Sequence, residues 1–434
     1  MAAAELWDEG TGALRHRVGR YLLTHELAAG GMGTVYIGRV DGPKGFGKLV
    51  AVKLMHEHLA DGEVADMFAD EARIASRIHH PNVCQVYDFG EEEGIYYLAM
   101  ELLAGVPLSR VLSRLATTFD GGMRPASYFA LVARIMADAL TGLHAVHEVT
   151  DDDGRPLDIV HRDISPDNLF LTYDGAVRIV DFGIAGGRGR IHRTQVGTFK
   201  GKLAYAAPEQ FHGGVTRTAD IWSAGVVLWE LLTLCCAFER ENDMETLTAV
   251  TTAPIVDPRR VARDVPDELA AIALHALCRD PRARYQTARD MARDLTAYAA
   301  RHHGVLDPTD MAAWVRVLCP EDYQASRALL AEARSIGKAP ELAWAATVID
   351  TPLPPPCSEP SGVRTLTREP PSYEVIVPAE PASLPSAPID EHHAAAMQVA
   401  DGAEAAGRGR VGLFLLLLFA GLALVGGAVA GLAF

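Results

Sequence analysis

The stretch that most constrains this chain is His161-Arg162-Asp163-Ile164-Ser165-Pro166-Asp167-Asn168, followed thirteen residues after Asn168 by Asp181-Phe182-Gly183. Metal-assisted phosphoryl transfer needs a carboxylate that accepts a hydroxyl proton and further side chains that hold the metal against phosphate. Asp163, Asn168 and Asp181 supply these groups in that order. Taken singly, His-Arg-Asp is a solvated turn and Asp-Phe-Gly a common turn tripeptide. Here they occur together, and the apolar runs 169–172 and 177–180 between them read as the two strands of a short hairpin.

The residues upstream complete the same chemistry. Residues 21–27 alternate as a first strand, and Ala28-Ala29-Gly30-Gly31-Met32-Gly33-Thr34-Val35-Tyr36 then reads as a glycine-rich hairpin over a nucleotide. Leu49-Val50-Ala51-Val52-Lys53 follows as a strand whose lysine meets the α and β phosphates. Glu71, eighteen residues on in a helical run over 64–78, is expected to pair with Lys53 and position it. Strands over 85–90 and 95–101 bring Met100 to the edge of an adenine pocket, with the backbone of Glu101 to Leu103 facing the base and Leu27, Val35 and Ala51 lining it. An ordinary hairpin, a solvated lysine and a buried strand methionine are the alternatives for each piece alone, and the order of the pieces selects the nucleotide reading. His144 and His147, three apart on a helix over 127–147, have no carboxylate or thiolate partner at metal spacing and are assigned to packing or solvent. The run Asp151-Asp152-Asp153-Gly154 reads as a solvated turn.

A net charge of −16 leaves no basic stripe to neutralise phosphates, which excludes nucleic acid as the main partner. Six cysteines without Cys-x-x-Cys or zinc spacing read as reduced thiols that mostly fill the core. Residues 1–19 carry acids and no apolar run, so they are not a secretory leader. Residues 351–388 are crowded with proline and read as a disordered linker. Residues 411–434 hold no charge and are long enough for a transmembrane helix across a bilayer of ~30 Å. Arg408 and Arg410 on its N-terminal side set the rest of the chain in the cytoplasm, so the expectation is a single C-terminal anchor in the cytoplasmic membrane without an ectodomain. Gly427 and Gly431 form a weak Gly-x-x-x-Gly pair for self-association, which favours phosphorylation in trans.

From about residue 21 to 302 the motifs, in order, resemble the eukaryotic-like Ser/Thr protein kinases of bacteria. Ala207-Pro208-Glu209 is similar to the close of that family's activation segment, Asp220-Ile221-Trp222-Ser223-Ala224-Gly225 to the central helix of its large lobe, and Arg284 to the partner of Glu209. The resemblance implies an α+β bilobal protein-kinase fold, with a small β-rich lobe holding one helix and a large, mainly helical lobe. With the compositional readings of the remainder, the chain divides into a tail (1–19), kinase domain (20–302), helical extension (303–345), Pro-rich linker (346–410) and transmembrane helix (411–434). The resemblance implies ATP with Mg2+ (Mn2+ as the alternative), protein substrates, Lys53 and Glu71 for ATP, Asp163 as base, and Asn168 and Asp181 as metal ligands. Thr198, then Thr194, are the expected phosphosites, with Arg162 receiving the phosphate.

Three residues depart from the family pattern. Ala28 replaces the first glycine of the loop. Ser165 replaces the lysine expected two residues after the catalytic Asp, and Lys202 replaces the threonine expected seven residues before Glu209. Those two side chains converge in that fold, so Lys202 is expected to return the cation that Ser165 lacks. The same departures keep a rival reading, a weak or inactive kinase-fold scaffold at the membrane, and leave tyrosine specificity open.

Overall fold

The computed structural model describes residues 16–31, 33–43, 46–56, 59, 62–181, 202–303 and 306–336. Thr194 and Thr198, the Pro-rich linker and the apolar segment 411–434 lie outside them.

Strands β1 (Arg17–Val18), β2 (Tyr21–Ala29), β3 (Gly33–Asp41), β4 (Gly47–Met55), β5 (Val86–Glu92) and β6 (Ile95–Met100) form one antiparallel sheet in the order β1-β2-β3-β4-β6-β5. Its register sets the nucleotide face. Val35 lies opposite Lys53, Lys53 opposite Leu98, and Ala51 opposite Met100. Directly opposed residues, and residues two apart on one strand, share a face, so Val35, Ala51, Lys53 and Met100 line one side of the sheet. At Gly33 the chain passes so close to β4 that a Cβ would overlap the Leu54 carbonyl, which is why glycine stands there. Helix α1 (Glu63–Ala75) covers the same side through Phe68, Ala72 and Ala75, packed with Met55 and Leu98. The opposite face buries Val18, Tyr21, Leu23, Val50, Val52 and Tyr97.

The second lobe is built from α2 (Leu108–Phe119), α3 (Ala126–His147), α4 (Thr218–Thr233), α5 (Asp243–Thr252), α6 (Pro258–Val261), α7 (Asp267–Ala276) and α8 (Ala288–His303). A small sheet, β7 (Gly105–Pro107), β8 (Leu169–Thr172) and β9 (Val177–Ile179), lies with them in the order β7-β8-β9. Every residue of α4 is buried, Asp220, Ser223 and Glu230 included, so it serves as the lobe's centre. Among the described residues α3 alone is long and apolar enough to cross a membrane, and it is mostly buried in this lobe.

The region expected to be helical from 303 onward divides into α9 (Pro308–Leu318) and α10 (Pro320–Ser335). Pro320 lacks the N–H that would continue α9 and instead opens the next helix, while Asp307 caps α9 through the backbone N–H groups of Thr309 and Asp310. The cysteines follow the core-filling expectation only in part. Cys84 and Cys319 are buried, Cys278 is half-buried, and Cys235 and Cys236 are exposed just past the C-terminus of α4.

Candidate active site

Between α3 and β8 the chain crosses the cleft as an irregular loop fixed from below by one carboxylate. Asp220, in the first turn of α4 and without solvent exposure, accepts from the backbone N–H of His161 (2.8 Å) and of Arg162 (2.7 Å), and its Oδ2 lies 2.7 Å from His147 Nε2. Burial alone would raise its pKa, but the His147 bond and charge, with His161 and the Arg162 N–H, hold it below the ordinary carboxylate value. Arg162 sits at φ 66° and Asp181 at φ 48°, left-handed conformations that non-glycine residues rarely adopt. The backbone bends sharply at both loop residues, and the bonds to Asp220 hold the first bend.

The loop ends in a compact polar cluster. Asn168 Nδ2 donates to the Asp163 carbonyl and to its Oδ2, both at 2.8 Å, and Lys202 Nζ donates to the same Oδ2 at 2.5 Å. With its amide nitrogen engaged, Asn168 keeps its Oδ1 as a hard oxygen ligand. Val180 N–H bonds to the Asn168 carbonyl (2.9 Å), so the β8–β9 hairpin carries Asp181 back beside Asn168. Among the described residues no group of three or more His, Cys, Asp or Glu side chains is set to hold a metal. Two protein oxygens, from Asn168 and Asp181, fit a Mg2+ whose remaining positions go to phosphate and water.

Lys53 departs from the expected pairing. Its ammonium, almost fully buried, donates to Asp181 Oδ1 at 2.9 Å, and among the described residues it forms no ion pair with Glu71. The electrostatics follow from this pairing. Burial raises the Glu71 carboxyl to about 7, against which the Lys53 charge acts only in part, so near neutrality Glu71 is often protonated. Burial also opposes ionisation of Asp181, but the Lys53 charge and hydrogen bond outweigh it and hold Asp181 below the ordinary value. Lys53 itself is raised: desolvation opposes its charge, and Asp181 and Glu71 more than compensate.

Ser165 and Lys202 are both at this cluster, with different surroundings. Ser165 is buried, and its Oγ has no hydrogen-bond partner among the described residues. Lys202 opens the short turn Lys202–Tyr205 and reaches the Asp163 carboxylate, its side chain 42% exposed. Further out, Arg284, with no exposed side-chain surface, donates to both Glu209 oxygens at 2.7 and 2.9 Å and to the Thr218 carbonyl. On the nucleotide side, Glu101 gives its N–H to the Gln85 carbonyl (2.8 Å), so that N–H is not available to a base. Gly30 N–H closes the glycine-rich turn on the Gly33 carbonyl (2.9 Å), and Leu27 at its start is partly exposed.

Several positioning residues escape sequence reasoning. His147, assigned to packing or solvent, is buried against Asp220. Asn82 joins the α1–β5 connection to β9, donating to the Val177 carbonyl and accepting from Ile179 N–H. Tyr205 bonds to Glu230 (2.7 Å) and accepts from Ser223 through its carbonyl, which holds the segment after Lys202 on α4. Each depends on contacts across at least eighteen residues of sequence, for which local patterning carries no signal.

The family model described as the protein kinase domain matches residues 21–295. Tyrosine-protein kinase MasK of Myxococcus xanthus is 42% identical over 297 residues, covering 68% of this chain and 45% of its own length. Serine/threonine-protein kinase PrkC of Bacillus subtilis is 32% identical over 288 residues, covering 65% of this chain and 41% of its own. Serine/threonine-protein kinase PknH of Mycobacterium tuberculosis is 33% identical over 292 residues, covering 67% and 42%. The chain thus spans less than half the length of these relatives. With a two-lobed fold, a cleft that gathers Lys53, Asp163, Asn168 and Asp181, and a family match over most of both lobes, the chain belongs to the protein kinase family.

Proposed function

We propose that the protein is a Ser/Thr kinase that transfers the γ-phosphate of Mg-ATP to protein hydroxyls. The observation that carries this reading is the convergence of the Lys53–Asp181 pair and the Asp163–Asn168 pair in one cleft. Bound Mg-ATP supplies the phosphoryl group and the charge neutralisation it needs. Lys53 orients the phosphates, Asn168 Oδ1 and Asp181 hold the metal, and Asp163 accepts the hydroxyl proton of the acceptor. Lys202, on the Asp163 carboxylate, supplies the cation that the family pattern has at position 165. Thr198 or Thr194 is the autophosphorylation site, with Arg162 as receiver, and residues 411–434 anchor the chain in the cytoplasmic membrane, where self-association brings two copies together.

Tyrosine transfer is the second reading, favoured by the name of the 42% identical relative and by the altered residues 165 and 202. Incubation of the wild-type protein and Asp163→Asn with Mg-ATP, followed by phosphoamino-acid analysis and site mapping, separates the readings. Phosphothreonine or phosphoserine in the wild type alone is the expected result. Phosphotyrosine moves the assignment to the second reading, and wild-type protein that binds ATP without transferring phosphate makes the chain a scaffold.

A further inference from the structure

Helix α10 touches both lobes. At its start, Arg110 and Arg114 of α2 pair with Asp322 (3.1 Å) and Glu321 (2.6 Å) in its first turn, where carboxylates also meet the positive end of the helix dipole. Tyr323 packs edge-on against Tyr173, just past β8, with ring centres 4.9 Å apart, and Arg316 of α9 donates to the Tyr173 carbonyl. These contacts belong to the large lobe. At its other end α10 packs on β4, and Glu332 lies 3.5 Å from His25 of β2.

The decisive contact is Arg39 on β3. Its side chain is 8% exposed, its Nε donates to Asp41 (2.6 Å), and its Nη1 donates to the carbonyls of Arg334 (3.2 Å) and Ile336. The last carbonyls of a helix have no partner within it and carry the negative end of the dipole, so a buried guanidinium there satisfies both sides. Sixteen residues at ~1.5 Å each make α10 about 24 Å long, enough to run from α2 to the small-lobe sheet beside the connection 101–104. Beside that connection lies an open pocket of about 310 Å³ lined by Leu102, Leu103, Arg178 and Arg316.

We propose that α10 is an interlobe brace: pinned to the large lobe by Arg110 and Arg114 and to the small lobe by Arg39, it limits opening of the cleft and thereby sets nucleotide affinity. The affinity claim rests on the kinase reading, and the pinning does not. In the full chain, Arg39→Ala is expected to raise amide hydrogen exchange about tenfold in residues 331–336 while residues 320–326 stay protected, and to weaken Mg-ATP binding several-fold, about the loss of one charged helix-end contact. Arg39→Lys should recover part of both. Arg110→Ala with Arg114→Ala releases the opposite end, reversing which half of α10 exchanges, and serves should Arg39→Ala not fold. Unchanged exchange in the last turn, or faster exchange with unaltered ATP affinity, overturns the brace. Wild-type protein that binds no Mg-ATP overturns the kinase reading instead, and the exchange data alone then judge the pinning.

Discussion

Lys202→Ala removes one cation from the carboxylate proposed to take the acceptor's proton. The Nζ to Oδ2 distance is 2.5 Å, with side-chain exposures of 42% for Lys202 and 24% for Asp163. Two unit charges about 4 Å apart attract by about 1 kcal/mol in water and about 4 kcal/mol in the dielectric near a protein surface. Solvent reaches nearly half of Lys202, so screening keeps the contribution toward the lower figure. A loss of about 1.4 to 2.7 kcal/mol of transition-state stabilisation corresponds to a rate lower by about tenfold to hundredfold. The fall should appear in kcat measured with radiolabelled ATP at saturation, with KM for ATP little altered, because the proposed mechanism gives the phosphates to Lys53 and not to Lys202. Thermal stability should hardly move, since an exposed pair contributes little to folding. The reciprocal exchange, S165K with K202T, restores the family arrangement and should recover much of the rate. A kcat for Lys202→Ala within twofold of wild type refutes the compensation.

Two further outcomes test the electrostatics. Glu71 titrates near 7 when folded against an ordinary 4.5, so between those values the native state binds more protons than the unfolded chain and stability falls as pH rises. The difference is worth about 3 kcal/mol at about 1.36 kcal/mol per pH unit. Glu71→Gln should flatten the melting profile between pH 5 and 8, and an unaltered slope in the variant would show that Glu71 is not its source. Arg284→Ala strands the Glu209 carboxylate, 14% exposed, beside α4; losing one partner of a buried pair costs about 3 to 5 kcal/mol. Melting should drop by about 10 °C at about 2 to 4 °C per kcal/mol, with only partial rescue by Arg284→Lys, which cannot bridge both oxygens. A melting point within 2 to 3 °C of wild type would count against the pair's structural role.

The reach of local sequence is clear from particular elements. The alternation of residues 21–27 and the run 49–53 foretell β2 and β4, since a strand's period of two is written in its own side chains. The loop 161–168 and Asp181 are legible for a similar reason: the chemistry needs particular groups a few residues apart, and the hairpin between them fixes their separation. Pro320 marks where the helical extension divides into two helices, a break that the reading of 303–345 as helical did not specify.

What sequence cannot rank is competition among partners that meet only in the folded chain. Lys53 has Glu71, buried, and Asp181, partly exposed, as candidate partners; in the folded chain its ammonium meets Asp181, and the two carboxyls shift in opposite directions as a result. Asp220 becomes the support of the catalytic loop only once α4 lies beneath it, and His147 gains its role with it. Arg39, on β3, meets the end of α10 across almost three hundred residues of chain. Motif order determined the family chemistry of this protein, because reacting groups are few and their spacing is local. Desolvation and long-range contact decided which charges pair, because both depend on what the completed fold places around each group.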